Sequence, residues 1–398
     1  MTLFKRLVLF LHRWLGLVSG LVVVIVSITG CLFAFEYEIS HWLRKDLIFV
    51  ESQEEERLSV EDLQNRATEE LDVETLVYGL TTYNNPEQAW TAMYYKGGAD
   101  AWTYFGSIED YQTLYINPYT GKTLGIIDEE KNFFQIVKGL HWSLLLATPI
   151  GQPVVVWSTV IFIILLVSGL ILWWPEKWNK SKRKKSFKIK WKGRWRRLNY
   201  DLHSVLGFYF LVLTLIIAFT GLYWAFPTAK KALYFLGTGE FSLPPAQTEQ
   251  VQSKPPAEIE SHSIMEVVYK KVWTEFPDAY SISLIPPASD TGPIRAVIRG
   301  DGSTYYERSD LSFDQYSGEL LQQDRYEEKN AGEKIMAMNY DIHVGAIGGL
   351  PGKIIAFLAS MISASLPITG FILWLDRSRR REKAENIANQ KKGSLSLN

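Results

Sequence analysis

The chain contains, at residues 199–203, the stretch Asn-Tyr-Asp-Leu-His, which returns almost unchanged as Asn-Tyr-Asp-Ile-His at residues 339–343. Each copy stands just before or close to a long run without charged residues. An ionisable side chain is costly beside hydrocarbon, so a histidine in such a place usually has a functional reason. The recurrence indicates that both the apolar run and its histidine belong to a repeated unit.

Four windows of the sequence contain no Asp, Glu, Lys or Arg. At about 1.5 Å per residue, each is long enough as a helix to cross a hydrocarbon core of roughly 30 Å. The windows are Trp14–Phe35, Trp142–Pro175, Leu202–Ala229 and Ile354–Leu375. They predict an integral membrane α-helical bundle of four main spans.

Charge is distributed unevenly between the windows. Residues 176–200 carry 12 Lys or Arg against one Glu, whereas residues 36–138 carry 20 acids against 8 bases and residues 227–353 carry 18 against 12. The positive-inside bias then places the basic loop and both termini in the cytoplasm, and the acidic loops in the periplasm of a bacterial inner membrane. We interpret the basic run as a lipid-facing anchor, and we predict no nucleic-acid partner.

The only cysteine lies in the first window, where the segment Ile28–Cys31 resembles a lipoprotein cleavage site. Its Thr-Gly pair also occurs in the third window, which argues against cleavage. With a single Cys no internal disulfide forms, so the large loops must fold on their own cores.

The sequence aligns with itself at two offsets. An offset of 191 aligns the first window with the third, and one of 201 aligns the second with the fourth. The aligned residues are His12 with His203, Gly16 with Gly207, Thr29-Gly30 with Thr220-Gly221, Gly169 with Gly370, and, within one residue, His141 with His343. Both units begin on the cytoplasmic side, so we predict parallel repeats related by a pseudo-twofold axis along the membrane normal.

Each acidic loop shows a helical pattern followed by strand patterns. The predicted helices are Ser59–Leu71, with a capping box formed by Ser59 and Asp62, and Ser263–Phe276. The predicted strands are Ala89–Tyr95, Thr113–Ile116, Ile294–Arg299 and Tyr305–Phe313, and a Pro-rich linker covers Leu243–Ala257. These patterns favour two small periplasmic α+β domains.

The order of these features resembles the PepSY-associated transmembrane family, which includes iron-regulated and siderophore-reductase membrane proteins. The resemblance rests on Leu11-His12-Arg13-Trp14, the Thr-Gly pairs, Leu140-His141-Trp142-Ser143, Ser168-Gly169-Leu170-Ile171-Leu172-Trp173, Asp201-Leu202-His203-Ser204, Asp341-Ile342-His343 and the turns at Tyr119-Thr120-Gly121 and Tyr316-Ser317-Gly318. It implies two PepSY-like domains in the periplasm and a link to the release of iron from ferric siderophores.

The predicted boundaries follow from the windows and loops. They are 1–36 for the first span, 37–131 for the first PepSY-like domain, 132–175 for a surface helix and the second span, 176–200 for the basic loop, 201–229 for the third span, 230–334 for the second PepSY-like domain, 335–376 for a surface helix and the fourth span, and 377–398 for the basic tail. The surface helices are predicted because Pro and Gly residues interrupt the second and fourth apolar segments near residues 149–153 and 348–352.

Four of the six histidines stand at the edges of the windows, in register between the repeats. His12 and His203 are predicted at the cytoplasmic side, and His141 and His343 at the periplasmic side, so a shared ligand must bridge the repeats. Zinc takes three or four protein ligands, whereas haem needs only axial ligands and an apolar slot. We therefore predict two b-type haems, each with two axial histidines.

Residues near the histidines admit two interpretations. Gly16 and Gly207 either leave room for a macrocycle or let helices approach closely. Arg13, with Arg196 and Arg197, either pairs with haem propionates or extends its charge to the membrane surface. Asp201 and Asp341 are better explained as helix caps than as partners of their histidines.

Two haems at opposite faces predict an oxidoreductase that carries electrons from cytoplasm to periplasm, and the resemblance implies ferric siderophores as acceptors. No Gly-x-Gly-x-x-Gly turn follows a strand, so a separate cytoplasmic donor or quinol is expected. A cofactor-free membrane protein that binds or regulates periplasmic peptidases is the alternative, and a transporter is a weaker one. The aromatic residues Trp90, Trp102, Tyr104 and Phe105 are either core residues or part of an acceptor site.

Overall fold

The fold is described from a computed structural model. It describes residues 2–52, 56–73, 79–98, 101–175, 179, 186–244, 251–255 and 263–395. Parts of the predicted basic loop and of the Pro-rich linker, together with His262, lie outside these ranges.

The first half of the chain contains a long helix, a group of short elements and a second long helix. In order they are α1 (Leu3–Phe33), α2 (Glu36–Leu43), α3 (Lys45–Ile48), α4 (Val60–Leu71), β1 (Leu80–Tyr83), β2 (Trp90–Gly97), β3 (Ile108–Ile116), β4 (Thr123–Asp128), α5 (Phe133–Ser143) and α6 (Thr148–Trp173).

The second half repeats this order with a broken first helix. Its elements are α7 (Trp195–Asp201), a π-helical turn (Leu202–Leu206), α8 (Gly207–Tyr209), α9 (Leu211–Leu222), α10 (Pro227–Thr238), α11 (Ile264–Glu275), β5 (Ser281–Ile285), β6 (Ile294–Arg299), β7 (Arg308–Phe313), β8 (Leu320–Asp324), α12 (Ala331–Ala337), α13 (Asn339–Val344) and α14 (Gly349–Leu395).

Within the described ranges, three helices are long and apolar enough to cross a membrane: α1, α6 and the apolar part of α14. A fourth span exists if the segments 195–209 and 211–222 are counted together, although they meet at an angle of 66°. The bend falls at Phe210, whose φ of −93° and ψ of 0° leave helical geometry. The third predicted window is therefore bent, whereas the other three each contain most of one long apolar helix.

The strands form one sheet of eight, in the order β4-β3-β2-β1-β5-β6-β7-β8, and all neighbours are antiparallel. The sequence predicted two small α+β domains, and in the structure their strands are joined by the pairing of β1 with β5, in which Leu80 lies opposite Leu284. An unpaired strand edge would expose backbone groups, and this pairing satisfies both inner edges.

One core lies between the sheet and the two helices α4 and α11. Its fully buried members include Leu63, Trp90, Leu114, Ile282 and Phe313. The α4 helix begins as predicted, because the Ser59 hydroxyl accepts a hydrogen bond from the Asp62 backbone amide at 3.1 Å. The four predicted strand runs are also present: β6 has the predicted bounds, β3 begins five residues earlier, β2 is shifted by one or two residues, and β7 begins three residues later. Strands β1, β4, β5 and β8 are additional.

The second and fourth apolar segments begin after a short helix, as their Pro and Gly residues indicated. Leu144, which follows helix α5, has a left-handed φ of 57°, and Gly345, which follows α13, has a φ of 81°. A Cβ at Gly345 would lie 2.4 Å from the Gly352 carbonyl oxygen, so only glycine allows this close turn into α14. The turns place His141 and His343 on helices outside the long spans.

Candidate functional site: two histidine pairs

The structure brings the four window-edge histidines together as two pairs. His141 and His343 form the sheet-side pair, with ring centroids 6.1 Å apart and ring planes at 70°. His12 and His203 form the far-side pair, with centroids 6.4 Å apart and planes at 87°. Each pair joins one histidine from each half of the chain, which is the arrangement that the sequence predicted.

Each histidine packs on a hydroxyl-glycine dipeptide of a neighbouring helix. His343 is the clearest case: its Nδ1 lies 3.0 Å from the Thr220 hydroxyl and 3.0 Å from the Ile217 carbonyl oxygen on α9. A Cβ added at Gly221 would lie 3.2 Å from the His343 Cε1 atom. The glycine therefore lets the ring lie directly against the helix.

The other three histidines repeat these contacts. His141 Nδ1 lies 2.9 Å from the Val26 carbonyl oxygen and 3.1 Å from the Thr29 hydroxyl, with Gly30 beside its ring. His203 Nδ1 lies 3.1 Å from the Leu366 carbonyl oxygen and 2.9 Å from the Thr369 hydroxyl, with Gly370 beside its ring. His12 Nδ1 lies 2.8 Å from the Ser168 hydroxyl, with Gly169 beside its ring.

These contacts determine which ring nitrogen carries the proton. The Thr220 hydroxyl donates its only proton to carbonyl oxygens of its own helix, at 2.8 and 2.9 Å, so its oxygen must accept from the histidine. The Ile217 carbonyl oxygen can also only accept. Nδ1 of His343 is therefore the protonated nitrogen, and Nε2 keeps the lone pair that a metal needs. The same argument applies to His141 and His203.

The repeated motif positions its histidine through its asparagine. Asn339 precedes His343 by four residues, and its side-chain amide donates to the carbonyl oxygen of Thr220 at 3.3 Å. Asn199 makes the equivalent bond to Thr369 at 3.1 Å. Residues four apart lie on one helical face, so asparagine and histidine together hold that face on the threonine of the next helix.

The aspartates of the motif hold loops in place. Asp341 is fully buried, and its carboxylate accepts from the Tyr305 backbone amide at 3.0 and 3.1 Å. Asp201 is also fully buried, accepts from the Lys190 backbone amide at 3.1 Å and forms an ion pair with Arg197 at 2.8 Å. The prediction that both are helix caps is wrong, because each lies inside or at the end of its helix.

The remaining predicted site residues lie around the far-side pair. A Cβ at Gly16 would lie 3.8 Å from Leu165, and one at Gly207 would lie 3.4 Å from Leu366, so both glycines line helix contacts. Arg13 makes no ion pair with any described residue. Arg196 pairs with Asp376 at 3.2 Å, and Arg197 with the buried Asp201.

Apolar side chains separate the two pairs. Thr29, the contact of His141, lies 17 positions after His12 in α1, which corresponds to about 25 Å along a helix. Val23, Phe162, Leu166 and Ala218 are buried against one another in this interval. This part of the bundle is therefore packed with apolar side chains.

A layer of tyrosines connects the sheet-side pair to the sheet. Tyr340 of the motif packs on Tyr305 with centroids 5.0 Å apart, and the Arg299 guanidinium lies 4.2 Å from the Tyr305 ring. Burial raises the pKa of Tyr305, so its hydroxyl stays neutral. Close to Arg299, the loops that follow β1, precede β5 and follow β6 surround an open cleft of about 440 Å³, which Tyr280 lines.

The aromatic residues considered for an acceptor site have different environments. Trp90 is fully buried in the core, whereas Trp102 and Phe105 are 79% and 44% exposed. The Tyr104 ring lies against Gly139 of α5. Trp90 is thus a core residue, and none of the four lines the cleft beside Tyr280.

Among the residues that the structure describes, no three His, Cys, Asp or Glu side chains are grouped closely enough to hold a metal ion alone. Each pair offers two imidazole nitrogens and no more. Such a site suits a metal that brings most of its own ligands.

An apolar helical bundle carrying an antiparallel sheet outside it defines the class as integral membrane proteins. The family profile of the PepSY-associated TM region matches residues 9–377, so the chain belongs to this family. A search of curated proteins finds no match.

Proposed function

We propose that the protein is a transmembrane reductase that binds one b-type haem at each histidine pair. The spacing of the imidazole rings is the observation that carries this proposal. A metal–nitrogen bond of about 2 Å on each side, plus a ring radius of about 1 Å for each imidazole, gives ring centroids about 6 Å apart. The observed separations are 6.1 and 6.4 Å.

The histidine environments support the same conclusion. At His141, His203 and His343 the hydroxyl and carbonyl acceptors fix the Nδ1 proton, so Nε2 of these three rings would bind a metal without the cost of changing tautomer. A bound haem supplies a one-electron carrier. The chain would hold the axial ligands at a set spacing, with apolar side chains packed between the two sites.

We infer that electrons pass from the cytoplasm to the periplasm and that the sheet lies on the acceptor side. The acidic charge of the sheet-bearing loops and the basic charge of the opposite segments support this orientation. A cytoplasmic reductase or membrane quinol would supply the electrons, since the described elements contain no nucleotide-binding βαβ unit.

Ferric siderophores are the acceptor that we propose, on the basis of the resemblance of the sequence. Reduction releases iron because hard oxygen ligands hold Fe(II) less well than Fe(III). The tyrosine layer around Arg299 would separate the sheet-side site from the acceptor.

The test is a visible absorption spectrum of the detergent-purified full chain, oxidised and then reduced with dithionite, with haem counted by pyridine haemochrome. We expect two b-type haems per chain. His343→Ala should lose one of them, whereas His41→Ala, outside both pairs, should keep both. A protein that remains colourless after expression with added haem would exclude the reductase and favour the peptidase-binding alternative.

Reduction of a ferric chelate is tested separately. Dithionite-reduced protein in vesicles is mixed with a ferric siderophore and an Fe(II) indicator, and reoxidation of the haem is followed. Haem that binds normally but is not reoxidised would retain the electron carrier and exclude this acceptor.

A further inference from the structure

Large apolar side chains are exposed on helix α2, just beyond the first span. The helix begins at Glu36, three residues after α1 ends. Ile39, Trp42 and Leu43 are all exposed, Trp42 to 73%. Residues three and four apart lie on one side of a helix. Together these three side chains form an apolar surface that the described part of the chain leaves open.

The opposite side of α2 is held against the protein. It carries Tyr37, whose ring lies 5.6 Å from the Lys353 ammonium group. Tyr37, Tyr305 and Tyr340 line one small cavity. On the flank of the helix, Glu38 forms an ion pair with Lys353 at 2.7 Å. These contacts fix the rotation of α2, so its apolar side stays turned outward.

The second half of the chain has the same arrangement on α10. This helix begins five residues after α9 ends, and so takes the place of α2 in the repeat. Leu233 and Tyr234 are buried, and the Asn330 side chain at the start of α12 donates to the Tyr234 hydroxyl at 3.2 Å. Phe235 and Leu236 are exposed, Leu236 to 69%. One side of α10 thus packs on the protein, and the other is left open.

The other two spans have exposed apolar residues at the same end. The Trp102 carbonyl oxygen accepts from the Ala147 backbone amide at 3.0 Å, and Ala147 directly precedes α6. Trp102 is 79% exposed, and Leu350 is exposed where α14 begins. We call the exposed residues next to the four spans the interfacial ring: Trp42, Leu43, Trp102, Phe235, Leu236 and Leu350.

Three kinds of partner would cover such a surface: lipid, a second copy of the chain, or another protein. The ring occurs next to all four spans and in both halves, and a bilayer is the partner that surrounds the whole bundle. The ring also continues the apolar outer surface of the spans, where Val18 of α1 and Trp157 of α6 are exposed. Tryptophan is enriched at membrane–water boundaries. The ring therefore fits lipid better than a protein interface confined to one side.

We propose that the interfacial ring lies at the boundary between headgroups and acyl chains, in the leaflet on the side of the sheet, with α2 and α10 as helices bound to phospholipid. Interfacial helices place their apolar side about 5–10 Å into that boundary. The proposal moves most of both helices to the membrane surface from the periplasmic domains, to which the sequence assigned them. It requires no bound cofactor.

This position of α2 also sets the depth of the sheet-side pair. Gly30, which lies beside His141, stands six positions before Glu36, the first residue of α2. Six residues correspond to about 9 Å at the rise of a helix. The sheet-side pair then lies just below the level of the headgroups.

The test is depth-dependent quenching of a fluorophore on single cysteines of the full chain in phosphatidylcholine vesicles. Cys31→Ala removes the native thiol, and the label is attached at Trp42→Cys, Trp102→Cys or Leu236→Cys. The lipids carry a nitroxide either near the headgroup or near the end of the acyl chain. All three positions are exposed, so these substitutions leave the core contacts in place.

Two controls bracket the expected depth. Val18→Cys lies near the middle of α1 on its exposed surface, so its label should be quenched most by the deep nitroxide. Asp290→Cys lies on the exposed loop between β5 and β6, at the opposite end of β6 from the loop that carries Tyr305. Its label should be quenched by neither nitroxide.

The three ring labels should lose more fluorescence to the shallow nitroxide than to the deep one. Ring labels that behave like the one at Asp290→Cys would lie in water and would overturn the proposal; cross-linking of such labels between two chains would identify a second copy as the occupant instead. Ring labels quenched most by the deep nitroxide, like the one at Val18→Cys, would overturn the boundary position, since α2 and α10 would then lie within the hydrocarbon.

Discussion

Replacement of Gly221 by alanine tests whether the glycine contact sets the position of the sheet-side ligand. The new Cβ would lie 3.2 Å from the His343 Cε1 atom, which is closer than ordinary contact, so the ring must retreat by a few tenths of an ångström. Its Nδ1 is held at 3.0 Å by both Thr220 and the Ile217 carbonyl oxygen, which resist that movement. The ring therefore tilts, and Nε2 moves relative to His141.

The expected loss of haem affinity follows from how far a metal ligand can move before binding weakens. Ligand constellations tolerate displacements of about 0.5 Å, and changes in the groups that orient metal ligands cost about 10–100-fold in affinity. The predicted displacement is below the tolerance, so we expect the lower end, about tenfold or 1.4 kcal/mol.

Haemin titration of Gly221→Ala on the His203→Ala background measures this loss. Gly348→Ala is the control, because a Cβ there meets nothing within 4 Å and the residue lies close to the same histidine in the chain. The reasoning is refuted if Gly221→Ala binds haem as tightly as its parent. It is also refuted if Gly348→Ala weakens binding equally.

Three further predictions concern the supports of the site. Asn339→Ala removes the hydrogen bond to the Thr220 carbonyl oxygen and leaves that buried oxygen with one donor fewer. We expect the free energy of unfolding to fall by about 1–3 kcal/mol, which is measured as a lower thermal unfolding midpoint. An unchanged midpoint would contradict the role of the asparagine. Leu284→Ala opens a cavity at the junction of β1 and β5 and should cost about 2–5 kcal/mol, measured by denaturant unfolding of the sheet followed by tryptophan fluorescence. Asp341→Ala leaves the Tyr305 amide without its acceptor, so limited proteolysis should cleave the β6–β7 loop faster, and an unchanged cleavage rate would show that the carboxylate does not hold the loop.

The membrane part of the fold and the pairing of the histidines were predictable because they depend on local patterns. Charge-free windows mark apolar helices directly, and the offset of the repeats aligns His12 with His203. The Ser59 cap was predictable for the same reason, since its partner Asp62 is three residues away.

Long-range contacts were not predictable in this way. Strand β1 has only four residues, and its pairing with β5 joins Leu80 to Leu284 across some two hundred positions. The Thr-Gly pairs were visible in the sequence as landmarks of the repeats. Their contact with the histidines depends on the rotation of packed helices, which periodicity alone does not determine.

The error on Asp341 and Asp201 has a specific cause. Asp201 directly precedes the window that begins at Leu202, where a cap is common, and Asp341 stands at the same place in the repeated motif. The helices begin earlier, however: α7 starts at Trp195 and α13 at Asn339. The true signal was the four-residue spacing of asparagine and histidine within the motif.

The pairing of β1 with β5 has a consequence for the origin of the molecule. These strands are antiparallel and occupy the same place in the two halves, so the contact has the form of an interface between identical subunits. A chain of half this length would carry one unpaired inner strand and one histidine for each site. Two such chains would complete a continuous sheet and both pairs across a true twofold axis. Gene fusion of a homodimer would then account for the present chain.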